Sequence, residues 1–407
     1  MKDTEISDKI RSLRQRRGWT QEELAARAGL SWEVVAKIER GGTARMETYH
    51  ALARALGVRT LMFVSPQDPE PVADPHRDTA LAQIRAVINP PVCADGGLLF
   101  PAVEDAEPNL DVLAGAADAL AGHYARGTYN ELASLLPAVV QSAHQHVQAL
   151  DGEEKVRAHR VRADILVSAG RYLIQVREHD LALMALRDAL TDALTADDPV
   201  FAAAVVPVQS WALLRQSRFE EVETLCERTA DEVEPAKLSR ATPDELGVWG
   251  HLLLWASAAA ARNNRPEEAE DYLRAAAAAA ARLGREAEVT GRRPFGPLTV
   301  AMKEVENTLI AGRPDRALQL AEQLPRDVGL TYSLAVHRHR IDVARAQVLL
   351  GDAEAATATL AELRSAVPGW LRHQQSAREV AEDILAARTR MPSEQQRDLA
   401  NFLRVPM

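Results

Sequence analysis

This chain of 407 residues has little of what membrane, secreted and sheet-rich proteins usually contain. Its two cysteines, Cys93 and Cys226, lie far apart without metal-ligand spacing, which favours reduced thiols and a cytoplasmic protein. No run of about 18 apolar residues is present and the first residues include no apolar signal region, so neither a membrane span nor an export signal is expected. Aromatic residues make up 4% of the chain and hydrophobic residues 47%, so Ala, Leu and Val must build the core. This composition favours an all-α protein.

The sequence also lacks the motifs of common enzymes and metal sites. Neither a G-x-x-x-x-G-K loop nor an H-E-x-x-H motif occurs, which argues against a nucleotide-driven switch and a metalloprotease. The histidine pairs His144/His146 and His337/His339 are spaced two residues apart, which places the members of each pair on different faces of a helix. We expect these histidines to be solvated. No catalytic residues, metal ion or cofactor are therefore expected.

Residues 20–41 carry the most specific local pattern, two short amphipathic helices joined by a tight turn. Thr20, with Glu23 three positions later, forms a capping box at the start of the first helix. Gly29 permits the turn that ends this helix, and Ser31 is expected to cap the second. Two helices of this length around a glycine-containing turn are typical of the helix-turn-helix that reads DNA.

The distribution of charge agrees with DNA contact at this end of the chain. The whole chain carries a formal net charge of −10. Residues 1–64 contain 12 Lys and Arg against 8 Asp and Glu, a net of +4, whereas the remainder contains 36 against 50, a net of −14. A basic surface neutralises phosphates, and an acidic one repels them. We therefore expect DNA contacts from residues 1–64 alone.

Composition divides the chain into three parts. We predict a DNA-binding domain over 1–64, a connecting segment over 65–109, and helical repeats over 110–407. The start of the connection should be extended because of its prolines, unless it packs as an ordered arm on the next domain. These prolines are Pro66, Pro69, Pro71 and Pro75.

A weak repeat recurs through the third part of the chain. Six segments each have a turn residue and, five positions later, a small or aliphatic residue that lets two helices of a hairpin approach closely. These positions are Leu132, Ala182, Val222, Ala269, Ala317 and Ala356. The units recur at intervals of roughly 40–50 residues, longer than an ideal tetratricopeptide repeat. Stacked hairpins of this kind would form a curved α-solenoid with an extended concave surface.

The first 64 residues resemble the lambda-repressor/Cro-like (XRE-type) helix-turn-helix family. The resemblance is carried by Leu13-Arg14, Gly18, TQEELA at 20–25, Ala28-Gly29, Ser31, Val35, IERG at 38–41 and LARALGV at 52–58. One departure is Ala44-Arg45-Met46, where the family commonly has Pro-Ser before its fourth helix. The resemblance implies a five-helix domain that binds double-stranded DNA, in a homodimer on an inverted-repeat operator.

Residues 110–405 resemble the tetratricopeptide-like sensor half of regulators common in actinobacteria. The segments RRPFGPLTVAM, AGRPDRALQLAEQ and RIDVARAQVLLGD carry this resemblance. It implies a domain that binds a peptide, a small molecule or a protein partner.

The second helix of the motif presents the residues expected to enter the major groove. Val35 and Ile38 point inward, which leaves Ser31, Trp32, Glu33, Ala36 and Lys37 exposed. Lys37 could donate to guanine and Glu33 could accept from cytosine N4. Trp32 could contact thymine methyl groups, or instead turn back against the preceding helix. Glu39 should be structural, holding the following turn by hydrogen bonds.

Phosphate contacts are expected around this helix. The family resemblance implies that the amide of Gln21 grips a phosphate, although a generic first-turn role is the alternative. Arg14, Arg40 and Arg45 are further candidates, and each could instead be a solvated surface charge.

Two sets of residues are candidates for effector binding. Counting back from the turns places one set on the concave face, where charges and an aromatic ring suit a peptide or metabolite. This set is Asp164, Arg171, Trp211, Lys303, Glu306 and Arg345. The alternative is that they form ion pairs between helices or, for Trp211, part of the core. The loop over 291–297, with Arg292, Arg293 and Phe295, is either a ligand lid or a rigid spacer whose Phe295 fills the core.

These features together predict a DNA-binding transcriptional regulator with a sensor domain. The rival interpretation is a constitutive scaffold that recruits a protein partner to DNA without a small ligand.

Overall fold

The computed structural model describes residues 2–42, 44, 46–56, 75–95, 97–100, 107–325, 333–387 and 391–405. Over these residues the chain forms 20 helices and one two-stranded antiparallel sheet, which confirms the all-α prediction. None of the described helices is long and apolar enough to cross a membrane.

Four helices form the N-terminal unit. They are α1 (Lys2–Arg16), α2 (Gln21–Ala28), α3 (Trp32–Glu39) and α4 (Met46–Leu56). The Thr20–Glu23 capping box is present, and Gly29 ends α2 with a φ of 65°, a conformation that glycine adopts without strain. The small core includes Ile10, Leu24 and Leu52, each with no exposed surface. The predicted fifth helix falls outside the described residues.

The connecting segment is more ordered than its prolines suggest. Residues Pro75–Ile88 form helix α5, which contributes Leu81, Ile84 and Ile88 to the core of the helical region. From Pro75 onward the extended connection is therefore wrong, and the alternative of an ordered arm packed on the next domain describes this segment. These apolar residues recur at helical spacing, and their burial against the next domain outweighs the effect of the preceding prolines. The other prolines of the connection, at 66, 69 and 71, lie outside the described residues.

The remaining helices follow as consecutive hairpins. They are α6 (Leu110–Arg126), α7 (Tyr129–Ala149), α8 (Gly152–Gln175), α9 (His179–Thr195), α10 (Pro199–Arg215), α11 (Phe219–Glu232), α12 (Pro243–Arg262), α13 (Pro266–Leu283), α14 (Pro297–Ile310), α15 (Pro314–Glu322), α16 (Ser333–Leu349), α17 (Ala353–Ala366), α18 (Pro368–Leu371), α19 (Gln375–Ala386) and α20 (Glu394–Leu403). Strands β1 (Ala287–Val289) and β2 (Arg293–Phe295) lie between α13 and α14.

The hairpin turns repeat one backbone geometry. Each turn contains a left-handed residue, which is glycine in three turns and Arg177, Ser217 or Asn264 in the others. The following N–H bonds to a carbonyl five residues earlier, as from Glu178 to Leu173 at 2.9 Å, which closes the helix end. The six small or aliphatic positions predicted after the turns are all buried, with 5% exposure at most. This burial confirms their predicted role in bringing paired helices together.

The helical region curls until its last helices meet its first. One hydrophobic core contains side chains from α5 to α10 together with others from α16 to α20. A Cβ at Gly127 would lie 3.0 Å from Cβ of Trp370, and Gln374 donates to the side chain of Gln175 at 3.0 Å. We call the concave side of this curl the inner face, and it is more enclosed than the open concave surface expected from the repeats.

The histidine pairs are placed differently from the prediction. His144 and His146 are buried, and His146 Nε2 accepts the Asn109 N–H at 2.8 Å. His339 is buried and His337 half-buried, so the expectation of solvated side chains is wrong. Stacked hairpins cover more than one face of each helix, and periodicity along a single helix does not show this.

Candidate nucleic-acid interface and inner face

Helix α3 presents a polar face to solvent. Glu33, Lys37 and Arg40 are exposed, and their spacing places them on one side of the helix and its end. Trp32 exposes 46% of its surface, so it does not turn back into the core. Ala36, expected to be exposed, is 5% exposed and lies where Arg40 folds back to donate to the Ala36 carbonyl at 3.0 Å.

The first turn of α3 holds an ionised carboxylate. Ser31 occupies the N-cap position and is exposed, although its side chain makes no capping bond to the backbone. Hydrogen bonds from the backbone amide of Glu33 and from the Ser31 hydroxyl lower the pKa of Glu33. Glu33 is thus a hydrogen-bond acceptor at neutral pH, as contact with cytosine N4 requires.

A buried ion pair fixes α3 against the two preceding helices. Arg14 of α1 donates from Nε and Nη2 to the two oxygens of Glu39 at 2.7 and 2.8 Å, and Gln21 of α2 donates to Glu39 at 2.8 Å. Burial opposes ionisation of Glu39, but the hydrogen bonds and the charges of Arg14 and Arg11 outweigh it and lower the pKa of Glu39. We call Arg14, Gln21 and Glu39 the clamp. Glu39 is structural, but these bonds hold α3 to α1 and α2, whereas we expected them to hold the turn after α3.

The clamp changes two of the expected phosphate contacts. Arg14 also donates from Nη1 to the Trp19 carbonyl at 2.8 Å, and its side chain is 12% exposed. Because its donors are directed inward, the predicted phosphate contact from Arg14 is not supported. Gln21 is partly exposed, and its amide has a second N–H besides the one given to Glu39. Arg45 lies outside the described residues.

Helix α4 docks the N-terminal unit onto the helical region. Arg54 Nη1 donates to the carbonyl of Ile310, at the end of α14, at 2.8 Å. The His50 ring lies 5.8 Å from the ring of Phe219, at the start of α11. Because α4 makes this contact, the exposed face of α3 stays open to solvent.

The docking contact should weaken in acid because of His50. Burial and the charges of Arg262, Arg54 and Arg345 lower the pKa of His50 to about 3, so the docked imidazole is neutral at pH 7. An undocked His50 would titrate near 6.5 and bind more protons, so docking loses about 1.4 kcal/mol per pH unit below that value. We expect the protection factors of the α4 amides, which correct for the slower intrinsic exchange in acid, to fall between pH 7 and 5.5, and His50→Asn to remove this fall. An equal fall in His50→Asn would contradict the assignment.

The loop over 291–297 is part of a β-hairpin tied to the helices. Arg292 pairs with Asp164 at 3.0 Å and also with Asp118, and Arg171 donates to the carbonyl of Gly291. Phe295 has no exposed surface, and a Cβ at Gly250 would lie 2.0 Å from its ring. The structure supports the interpretation of a rigid spacer whose Phe295 fills the core, and it does not support a lid.

The other predicted inner-face residues form ion pairs and core contacts. Glu306 pairs with Lys303 and, at 2.6 Å, with Arg262, and these cations lower the pKa of Glu306 against the effect of burial. Arg345 pairs with Glu379 at 3.0 Å. Trp211 is 4% exposed, with the Arg338 guanidinium 5.1 Å from its ring. The alternative of interhelical ion pairs and core therefore describes these positions.

Our sequence analysis did not select two arginines of the inner face. Arg215 and Arg338 are partly exposed there, on the first helices of their hairpins, α10 and α16. The same counting from the turns that selected Arg171 and Trp211 would have found them.

Comparisons with known proteins identify the type of domain that the N-terminal residues form. The sequence profile of the helix-turn-helix family matches residues 10–63. An uncharacterized HTH-type transcriptional regulator, y4dJ of Sinorhizobium fredii (strain NBRC 101917 / NGR234), is 37% identical over 67 residues, which are 16% of this chain and 87% of that protein. No solved structure matches the chain. Through its N-terminal residues, the chain belongs to the helix-turn-helix family of DNA-binding transcriptional regulators.

Proposed function

We propose that this regulator binds a specific operator through the exposed face of α3. The observation that carries the proposal is a polar, solvent-facing surface of Trp32, Glu33 and Lys37 on a helix fixed by the buried clamp. Lys37 donates to guanine and Glu33 accepts from cytosine, while Arg40 and the second N–H of Gln21 contact phosphates. Rigid placement of this helix supports base readout, which tolerates little misplacement.

The proposal includes a homodimer on an inverted repeat. One helix-turn-helix unit covers about one half-site, and paired units place their α3 helices in successive major grooves. The acidic helical region stays away from the duplex, since its charge repels phosphates.

The helical region, in this proposal, is a tetratricopeptide-like sensor for an effector and has no catalytic step of its own. Its support is the direct contact between α4 and the ends of repeat helices, at Ile310 and Phe219. An effector that binds one arrangement of the repeats better than another shifts how the DNA-binding units are held. A scaffold that recruits a protein partner constitutively would show no such dependence.

Selection of DNA by the full-length protein tests the proposal. We expect enriched sequences to contain an inverted repeat with half-site centres about 10–10.5 base pairs apart, or a multiple of this. Analytical ultracentrifugation should find two chains on each selected site. Failure to enrich any sequence would contradict specific readout, and one chain on a single half-site would contradict the dimer.

A further inference from the structure

Four arginines meet at the inner face of the helical region. Arg171 comes from α8, Arg215 from the end of α10, Arg293 from β2 and Arg338 from α16. Arg171 donates to the carbonyl of Gly291, two residues before Arg293, and the Arg338 guanidinium lies 5.1 Å from the ring of Trp211, one helical turn before Arg215. Besides burial, the charges of Arg171 and Arg338 lower the pKa of Arg293, and the charge of Arg338 lowers that of Arg215. We call these four residues the arginine cluster. Elements distant in the sequence have brought like charges together.

Neutral groups supply most of the contacts of the arginine cluster. Arg171 donates to the Gly291 carbonyl and lies 6.0 Å from the ring of Tyr124. Arg338 lies 5.1 Å from the ring of Trp211. Within the described part of the chain, the side chains of Arg215 and Arg293 form neither a hydrogen bond nor an ion pair. Such contacts orient the guanidinium groups without neutralising them.

Two of the three nearby carboxylates are paired with other cations. Asp164 pairs with Arg292 at 3.0 Å, and Glu379 pairs with Arg345 at 3.0 Å. Asp164 favours the charged form of Arg171, and Glu379 favours that of Arg215, but each is shared with its own partner. The third, Glu288, also favours the charged form of Arg171, and it is exposed to solvent, which weakens its effect. The arginine cluster therefore has more positive than negative charge around it.

Keeping these charges unpaired is costly, which argues that they serve a purpose. Burial and the charges of its neighbours lower the pKa of Arg293 to about 9, and burial is also the main cause that lowers the pKa of Arg215 to about 10. Both values lie above neutral pH, so the side chains remain charged. Both keep part of their surface open to solvent, so an anion can reach them. Unpaired, partly accessible charges in an enclosed place are typical of binding sites.

We propose that the arginine cluster binds a small dianion, a phosphate ester or a dicarboxylate, which supplies the missing negative charge. The inference rests on the proposed effector function and names the chemical class of the effector. The planar fork of a guanidinium matches either acid through paired hydrogen bonds. Trp211 and Arg171 are nearly buried, so the cluster is too enclosed to follow a DNA duplex.

Thermal unfolding of the full-length protein, with sodium pyrophosphate or sodium succinate as probes at constant ionic strength, tests this site. We expect one probe or both to raise the Tm saturably, by about 4 °C at a hundredfold excess over Kd. A response to pyrophosphate alone assigns a phosphate ester, and one to succinate alone assigns a dicarboxylate. No saturable response to either probe would overturn the proposal.

Substitutions separate a ligand site from structural arginines. Arg293→Met and Arg215→Met should raise the Tm without probe by about 1–5 °C, because each removes a partly buried charge that forms no ion pair within the described residues. Both should lose the response to the probe. Arg228→Met, which removes an exposed arginine of α11, should change neither value. A lower Tm or failure to fold in the two variants would show structural roles, and a retained response would show adventitious binding. Either result overturns the proposal.

The effect of the probe on DNA affinity separates this inference from the proposed function. If the probe binds the arginine cluster and leaves operator affinity unchanged, the site is confirmed and the sensor function is wrong. If the probe changes operator affinity equally in the wild type and Arg293→Met, the site is wrong and the sensor function remains.

Discussion

Replacing Glu33 and Lys37 together with alanine should lower affinity for the selected operator by roughly 30-fold to 10⁴-fold, since each base contact contributes about 1–3 kcal/mol. Both side chains are exposed on α3, and neither takes part in the clamp. The fold should therefore be unchanged, with the same hydrogen-exchange protection in α1, α2 and α3. Binding to unrelated DNA should persist, because phosphate contacts elsewhere supply it. Fluorescence anisotropy with operator and scrambled duplexes measures both affinities.

A matched control removes the same two charges from another exposed place. Asp8 and Lys9 are exposed and belong to α1, not to the helix that carries Glu33 and Lys37. Asp8→Ala with Lys9→Ala should leave operator affinity within about threefold, the size of a typical surface effect of ±0.5 kcal/mol. If the double variant at Glu33 and Lys37 keeps the affinity and the salt dependence of the wild type, α3 does not read the bases.

Local signals were sufficient to predict the helices of the N-terminal unit. The Thr20–Glu23 capping box and Gly29 act through hydrogen bonds and dihedral angles within a few residues, so the sequence shows them directly. The ion-pair partner of Glu39 could not be predicted from such local signals. Arg14 is 25 residues away and carries the same charge as the neighbouring arginines, so only the packing of α1 on α3 selects it. A phosphate contact was therefore predicted for a residue that belongs to the interior.

The inner face also depends on contacts between distant segments, which local sequence signals do not predict. Ala182 and Ala317 were correctly placed because the turn and the position after it are local features of one hairpin. The curvature that brings Trp370 against Gly127 sums small rotations over many hairpins, and no single segment encodes it. The arginine cluster depends on this closure, since Arg338 of α16 contacts Trp211 of α10 only when the last hairpins return to the first.

Replacing Glu39 with alanine should destabilise the N-terminal unit by about 3–5 kcal/mol, the cost of leaving one partner of a buried ion pair uncompensated. The side chain of Glu39 has no exposure and that of Arg14 is 12% exposed, so water cannot readily replace the lost carboxylate. Hydrogen exchange of the full-length protein should show protection lost in α1, α2 and α3 and kept in α8. Operator affinity should also fall, because the fold that holds α3 in place is lost.

Two comparisons distinguish this clamp from a generic charge effect. Glu22→Ala removes an exposed carboxylate of α2 and should change protection by less than about 0.5 kcal/mol. Arg14→Met with Glu39→Leu removes both charges and should restore much of the protection that Glu39→Ala loses. If the double variant is as unstable as Glu39→Ala, the lost stability comes from packing and not from the unpaired arginine.

The pH dependence of the clamp has a definite sign. The folded-state pKa of Glu39 is lowered, so its contribution is complete above the unfolded pKa of about 4.3 and is lost as the pH falls through the folded value. Protection of α3 in the wild type should therefore decrease in that acidic range, whereas the Arg14→Met, Glu39→Leu variant should lack this decrease. An equal decrease in both proteins would assign the acid sensitivity to groups outside the clamp. The clamp and His50 thus act in different windows, since docking of α4 weakens below about pH 6.5 while α3 remains fixed until the pH approaches the range of carboxylates.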